Sequence, residues 1–367
     1  MPATLTVSKS QPSLADLLPA PTREPVDFWD VPATIQPNNF IHKSLSNWSF
    51  NIAVGCSHAC RFCYVPSAAT IKMGALLEKH GIDDPDAQWG EYVLLRRWDE
   101  KKFMASLRAA QETSVSSLNP DGNRAIIYCS TTDPYQTIRY PDTARQRELM
   151  TASRKLVTRS LELIRDHSTL RVRILTRSPL AKQDFPLFKT LGNRLLFGMS
   201  LPTLRNDLAR IYEPHAPAPS QRLATLTAAA EAGLNVYVAI APTYPECDAA
   251  DFHETLAAIK GLNPVTIFHE PINIRAENVQ RIAVHAKRLG VKLRSEVFAT
   301  REAWQDYAIE ALSTMKRMAK EIGLDQRLHL WPDKALGAAS LLARRPNTAA
   351  YQRSLSRAWS RISEWPD

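Results

Sequence analysis

Apolar residues change their spacing along the chain in a regular way. Six short runs rich in β-branched and aromatic residues read as strands: SFNIAV (49–54), AIIYC (125–129), LRVRILT (170–176), RLLFGMSL (194–201), LNVYVAIAP starting at Leu234, and PVTIFHE (264–270). Between them, stretches 143–166, 219–232 and 250–260 repeat apolar positions every three to four residues, as helices with one buried face do. Gly233 follows the alanine-rich stretch as a C-cap, and Leu234 opens the next strand. Alternation of this kind implies parallel strands with helices packed outside. The pattern therefore predicts an α/β fold, a partial (β/α)6 barrel of the TIM type. Past residue 275 it turns mainly helical, with segments at 276–290, 302–323 and 333–344 that complete the wall or form a cap. Residues 1 to about 40 carry seven prolines and few periodic positions, so an extended or partly disordered lead-in is expected. The expected division is a 1–40 lead-in, a 41–300 core barrel and a 301–367 helical C-terminal extension.

Composition agrees with one large domain: 367 residues, 44% hydrophobic and 23% charged, are enough for a real core. No apolar run approaches the ~20 residues of a membrane span. Residues 1–21 lack a signal-type apolar stretch, so a soluble, cytoplasmic protein is expected. Five cysteines, three of them between 56 and 63, fit a reducing compartment and a metal site better than a disulfide framework. The net charge is +9, and residues 271–367 hold a net of +7 of it. That asymmetry suits a polyanionic partner, since phosphates are contacted mainly by Lys and Arg, or it is simply a solvated helical surface. The region shows no helix-turn-helix or finger motif.

The chemistry is concentrated in Gly55-Cys56-Ser57-His58-Ala59-Cys60-Arg61-Phe62-Cys63-Tyr64, directly after the first predicted strand. In a parallel sheet the loops at the C-terminal strand ends form the active-site edge. Thiols spaced C-x3-C-x2-C on one loop can each ligate one iron of a cubane cluster, leaving the fourth iron without a protein ligand. A structural zinc is the alternative, with His58, Cys129 or Cys247 completing a tetrahedron.

The spacing with Phe62 as its aromatic resembles the signature of the radical S-adenosylmethionine superfamily. Asn51 to Tyr64, Thr132-Asp133-Pro134-Tyr135-Gln136 and Glu213-Pro214-His215-Ala216-Pro217 together resemble its spore photoproduct lyase-like branch, over about residues 40–300. The resemblance implies a 4Fe-4S cluster on Cys56, Cys60 and Cys63 whose open iron chelates S-adenosylmethionine. It further implies reductive cleavage to methionine and a hydrogen-abstracting 5′-deoxyadenosyl radical, driven by a flavodoxin- or ferredoxin-type electron donor. Phe62, Thr132, Arg177 and Ser200 are the cofactor-binding candidates and Cys129, Asp133 and Glu270 the catalytic ones: the resemblance places Cys129 to Asp133 along the cofactor and substrate cavity, and Glu270 ends the sixth strand within reach of substrate or cofactor. Arg177 matches a cation near the cofactor carboxylate. Cys129 lies near the thiol that returns a hydrogen atom in the DNA-repairing lyase, although one residue further from Asp133, and it also reads as a buried structural cysteine. Glu270 reads equally as a capping or salt-bridged carboxylate, and Cys247 shares the ambiguity of Cys129. The substrate stays open: a DNA photolesion, a peptide, an RNA base or a small metabolite. A non-catalytic iron–sulfur regulator is the alternative from a different class.

Overall fold

The computed structural model describes residues 24–38, 40, 42–67, 73–344 and 347–366. Its strands are β1 (Val26–Pro32), β2 (Ile35–Pro37), β3 (Trp48–Phe50), β4 (Ala53–Gly55), β5 (Val93–Arg97), β6 (Ala125–Tyr128), β7 (Arg171–Thr176), β8 (Leu195–Ser200), β9 (Val236–Thr243), β10 (Ile267–Pro271) and β11 (Leu328–Leu330). Eight of them form one sheet in the order β11-β10-β9-β8-β7-β6-β3-β2. Every neighbouring pair is parallel except β2 on β3. Helices Thr143–His167, Phe185–Thr190, Pro219–Glu231 and Ala249–Lys260 each connect one parallel strand to the next, and Asn278–Leu289 with Arg301–Ile322 lead from β10 to β11. The molecule is thus a mixed α/β protein built on a parallel sheet. No helix among the described residues is long and apolar enough to cross a membrane.

Local chemistry accounts for the element boundaries. Helix Thr143–His167 begins where the Asp142 carboxylate accepts from the amides of Ala144 and Arg145, at 2.6 and 3.0 Å, and Asp248 and Thr300 cap later helices in the same way. Its buried stripe runs Leu149, Ser153, Leu156, Val157, Ser160, Leu161 and Ile164, the three-and-four spacing visible in the sequence. Gly233 has φ +80°, and the amide of Leu234 donates to the Ala229 carbonyl at 3.0 Å, which closes helix Pro219–Glu231 before β9. Strands β6 and β8 are buried at every residue: Ile126, Tyr128, Leu195 and Phe197 join a core that includes helix residues Leu156, Leu161, Phe188 and Leu226, and Ile127 and Leu196 join a second cluster with Leu45, Tyr237, Phe268 and Trp331.

Four expectations need correction or completion. The single strand predicted over 49–54 is two strands: β3 pairs with β6 in the main sheet, whereas β4 pairs antiparallel with β5 in a separate sheet of order β1-β5-β4. Residues 26–32 and 35–37 of the expected lead-in are strands paired to β5 and β3, while residues 1–23 lie outside the described residues. The region expected to be helical after residue 300 also supplies β11, which pairs with β10 at the sheet edge. Residues 333–344 form a 3-10 turn, Lys334–Gly337, and a five-residue helix, Ala339–Ala343, rather than one helix.

The C-terminal segment closes the underside of the sheet. The Arg173 side chain, from the middle of β7, is fully buried and donates to the carbonyl of Leu45 and to Ser363 Oγ, both at 2.8 Å. Its guanidinium lies 4.6 Å from the Trp365 ring, 5.2 Å from Tyr237 and 5.5 Å from Phe268. Aromatic faces and two acceptors offset the desolvation of that charge.

Candidate active site

All ten residues singled out from the sequence line one cavity of about 420 Å³. It opens at the C-terminal ends of the parallel strands. Cys129 follows β6, Arg177 follows β7, Ser200 ends β8, Ala241 and Pro242 end β9, Glu270 is near the end of β10, and Trp331 follows β11. Cys56, Cys60, Phe62 and Cys63 enter from the loop after β4, and Thr132 and Asp133 from the loop after β6. Cys247 is buried in the loop after β9 and is not among the lining residues.

The cysteine loop is held by a dense set of local bonds. Gly55 precedes Cys56 with φ +88°, and a Cβ there would stand 2.2 Å from the carbonyl oxygen of Tyr92. The amides of Ala59 and Cys63 donate to the carbonyls of Cys56 and Cys60 at 3.4 and 3.2 Å, which keeps the three thiols on two successive turns. From the far side, Asn278 Nδ2 donates to the Phe62 carbonyl at 3.1 Å and the Arg281 guanidinium donates to the Cys63 carbonyl. All three cysteines are free thiols, and burial pushes their pKa values upward, to about 12 for Cys60.

The T-D-P-Y-Q segment clamps the same loop from the β6 side. Thr132 Oγ1 donates to the Gly55 carbonyl at 2.6 Å and accepts from Gln136 Nε2 at 2.7 Å, while Gln136 Oε1 accepts from the Ser57 amide at 2.7 Å. Asp133 is buried and accepts from Thr176 Oγ1 at 2.7 Å and from the amides of Tyr135 and Arg177 at 2.8 Å. His58 Nε2 lies 3.2 Å from Asp133 Oδ2, the oxygen that also accepts from the Arg177 amide. Burial alone would raise this carboxyl, but His58, the Thr176 hydroxyl and the Arg177 amide outweigh burial and hold it near a pKa of about 2. His58 is thereby committed to Asp133. Among the described residues no group of three or more His, Cys, Asp or Glu is already arranged so that it could hold a metal ion.

Across the cavity, Arg177 Nε donates to Glu213 Oε1 at 2.7 Å, and Arg222 pairs with the other oxygen of the same carboxylate. Glu213 is wholly buried, Arg222 is 1% exposed and Arg177 is 19% exposed. Two guanidiniums share one carboxylate, so the trio carries a net positive charge, and Arg177 is the member that reaches the cavity. Burial works against both signs, yet the mutual attraction holds Glu213 below its ordinary pKa and Arg177 well above. The Arg177 guanidinium also lies 5.7 Å from the Phe62 ring. Ser200 is a satisfied hydroxyl: its Oγ donates to the Ala241 carbonyl at 3.0 Å, and its own carbonyl accepts from Arg222. Glu270 is salt-bridged to Lys43 and accepts from Asn273, and Lys43 lies 4.4 Å from the Trp331 ring.

The sequence reading left several of these residues unassigned. Glu213 stood in a quoted motif without a role, and Gln136 likewise. Arg222 lies inside an alanine-rich helix and Trp331 beyond β11, where neither spacing nor motif points to a cavity. Asn51, whose Oδ1 accepts from the amides of Ser130 and Thr131 at 2.8 and 3.0 Å, sits in the break between β3 and β4.

Fold and site together define an α/β protein with a thiol-lined cavity at the C-terminal edge of a parallel sheet. No family model matches the chain. It is 28% identical over 260 residues to an uncharacterized protein of Acidianus two-tailed virus, covering 68% of this chain and 75% of that protein. An uncharacterized protein of Methanocaldococcus jannaschii is 23% identical over 274 residues, covering 74% and 87%. Among solved structures, the chain resembles spore photoproduct lyase. One mutant of that enzyme superposes with a TM-score of 0.56 at 12% identity, covering 83% of this chain and 80% of the other. Another, with bound AdoMet and dinucleoside spore photoproduct, gives a TM-score of 0.55 at 14% identity, covering 89% and 87%. These likenesses show a shared fold.

Proposed function

We propose that the chain is a radical S-adenosylmethionine enzyme. The observation that carries this is the convergence of Cys56, Cys60 and Cys63 on the cavity also lined by Thr132, Asp133 and Arg177, within the fold of spore photoproduct lyase. The donor set fits a 4Fe-4S cluster: three free thiols on one braced loop, spaced to take one iron each. A cluster with S-adenosylmethionine on its open iron supplies, when reduced, the radical that removes hydrogen from substrate. The rest falls to the protein. Burial opposes an isolated thiolate at each cysteine, so iron coordination is what would stabilise the charged form. The net positive charge on the Arg177–Glu213–Arg222 trio suits the cofactor carboxylate. The sheet would curl as a partial barrel about the cavity, whose apolar walls from Ile127, Leu175 and Ala239 keep water from a reactive carbon radical.

The direct test is anaerobic reconstitution with iron and sulfide, followed by dithionite and S-adenosylmethionine. Release of 5′-deoxyadenosine is expected, together with a cluster spectrum perturbed by S-adenosylmethionine. A cluster indifferent to it and no cleavage would instead identify a non-catalytic iron–sulfur protein.

A nucleic-acid lesion is the second reading for the substrate. It is favoured by the Cys129 thiol on the cavity wall and by the fold neighbour solved with a dinucleoside spore photoproduct. DNA binding that weakens steeply with salt is expected on this reading, and salt-insensitive or absent binding would remove it.

A further inference from the structure

Helix Asn278–Leu289 meets the cysteine loop with two side chains set three residues apart on one face. Asn278 is 1% exposed and donates through Nδ2 to the carbonyls of Phe62 and Asn273, at 3.1 and 2.8 Å. Arg281 divides its guanidinium between two partners. One terminal nitrogen donates to the carbonyl of Cys63, and the other pairs with the carboxylate of Asp86 and reaches Ser67 Oγ at 3.4 Å. The Arg281 side chain is 9% exposed and that of Asp86 19%. Ser67 Oγ donates to the second carboxylate oxygen at 2.9 Å. The segment around Asp86 is itself seated on the loop, since a Cβ on Gly90 would stand 2.3 Å from that of Ala59. The buried Arg281 Nε has no hydrogen-bond partner among the described residues. Bracing the loop does not need a charge: Asn278 braces the neighbouring carbonyl as a neutral amide, and a guanidinium costs far more to bury. Neither Arg281 nor Asp86 lines the cavity, so the charge is not there to hold what binds in it.

We propose that Arg281 and Asp86 form an oriented charge pair, with its positive end on the cysteine loop, that sets the reduction potential of the cluster on Cys56, Cys60 and Cys63. The assignment rests on the radical-enzyme proposal, because that reading is what puts a cluster on these thiols. One electron from the reductant adds one negative charge within a shell of three buried or half-buried cysteines, and no bond is made or broken. A guanidinium fixed on the Cys63 carbonyl stabilises the added charge and raises the potential, and the carboxylate on its other nitrogen limits the rise. Arg281 is thus a positioning and tuning residue that acts through the loop. Charge tuning and plain bracing differ in sign. Removing the positive member lowers the potential and removing the negative member raises it, whereas loosening the loop has no reason to reverse between the two.

The test is an anaerobic redox titration of the reconstituted full chain with dithionite and mediators, the reduced cluster being read by electron paramagnetic resonance. Wild type is compared with Arg281→Gln, Arg281→Lys and Asp86→Asn. At the wild-type midpoint the ratio of reduced to oxidised cluster is expected to fall on the order of tenfold in Arg281→Gln, about 59 mV for one electron. In Asp86→Asn it is expected to rise, by a smaller factor because that carboxylate is the more exposed partner. Arg281→Lys, which keeps the charge, is expected to stay within about twofold of wild type. Any other pattern, equal ratios or shifts of one sign included, would overturn the tuning assignment and leave the radical proposal standing. Should Arg281→Gln fail to take up iron, the other two variants decide by the same criterion: a raised ratio in Asp86→Asn beside a near-wild-type Arg281→Lys supports tuning, and an unmoved Asp86→Asn overturns it. Wild type that takes up no 4Fe-4S cluster would remove the radical proposal, and the tuning assignment with it.

Discussion

Single side chains carry sharply different kinds of work in this site. Cys129 lines the cavity as a fourth thiol, yet it comes from β6 rather than from the cysteine loop. If its role is hydrogen return and not ligation, Cys129→Ala keeps the wild-type iron content and the wild-type yield of 5′-deoxyadenosine, which iron assay and chromatography measure together. A drop in iron would make it a ligand. Gly55 works through the backbone alone. Gly55→Ala puts a methyl group onto the Tyr92 carbonyl at a residue with positive φ, and a loss of about 1–3 kcal/mol in urea unfolding is expected, with impaired cluster incorporation. The spacing of Cys56, Cys60 and Cys63 was legible in the sequence because one loop carries all three. The bonds of Thr132 and Gln136 to that loop were not, because their partners lie 77 and 79 residues away.

At the scale of elements, the site is an assembly of strand ends joined by two polar ties. One tie is Asp133 with His58 and Thr176, and the other is Glu213 between Arg177 and Arg222. Removing one partner from a buried ionic group leaves uncompensated charge, which costs about 3–5 kcal/mol. Glu213→Gln is therefore expected to lower stability by that order in denaturant titration and to weaken S-adenosylmethionine binding as Arg177 loses its orientation. Unchanged stability would mean that the two guanidiniums reach water. Periodicity located the helices between parallel strands well, because an amphipathic stripe is a local pattern. It merged β3 with β4, since Phe50, Ile52 and Val54 alternate through both as they would in one strand and the switch of sheet depends on β5, about forty residues further along.

For the whole molecule, two buried histidines make stability depend on pH. Burial lowers the pKa of His269 to about 3, and burial with Arg361, Arg173 and Lys43 lowers that of His329 to about 3. Each stays neutral in the folded chain, while its unfolded counterpart takes up a proton near pH 6.5. Their contribution is therefore fully present above about pH 6.5 and is lost progressively as pH falls toward 3. Urea titrations at pH 7.0 and 5.5 are expected to show this decline, and His269→Gln is expected to reduce it by about 1 kcal/mol across that interval. An unchanged slope would mean that His269 is protonated in the native state. The +7 of residues 271–367, visible in the sequence as bulk charge, is spread by the fold over unlike surroundings. Arg281 contacts the cysteine loop, and Arg361 binds backbone carbonyls.

What the sequence by itself determined is whatever is encoded over short separations: the α/β alternation, the helix cap at Gly233, and three thiols within one loop. Only the tertiary structure decided which distant groups meet. It brings Glu213 to Arg177 and Arg222, Trp331 to Lys43, and Ser363 to the buried Arg173. The physical reason is that local patterns follow from the geometry of a single turn or pleat, whereas a buried charge takes its partner from whichever strand or helix the sheet order sets beside it.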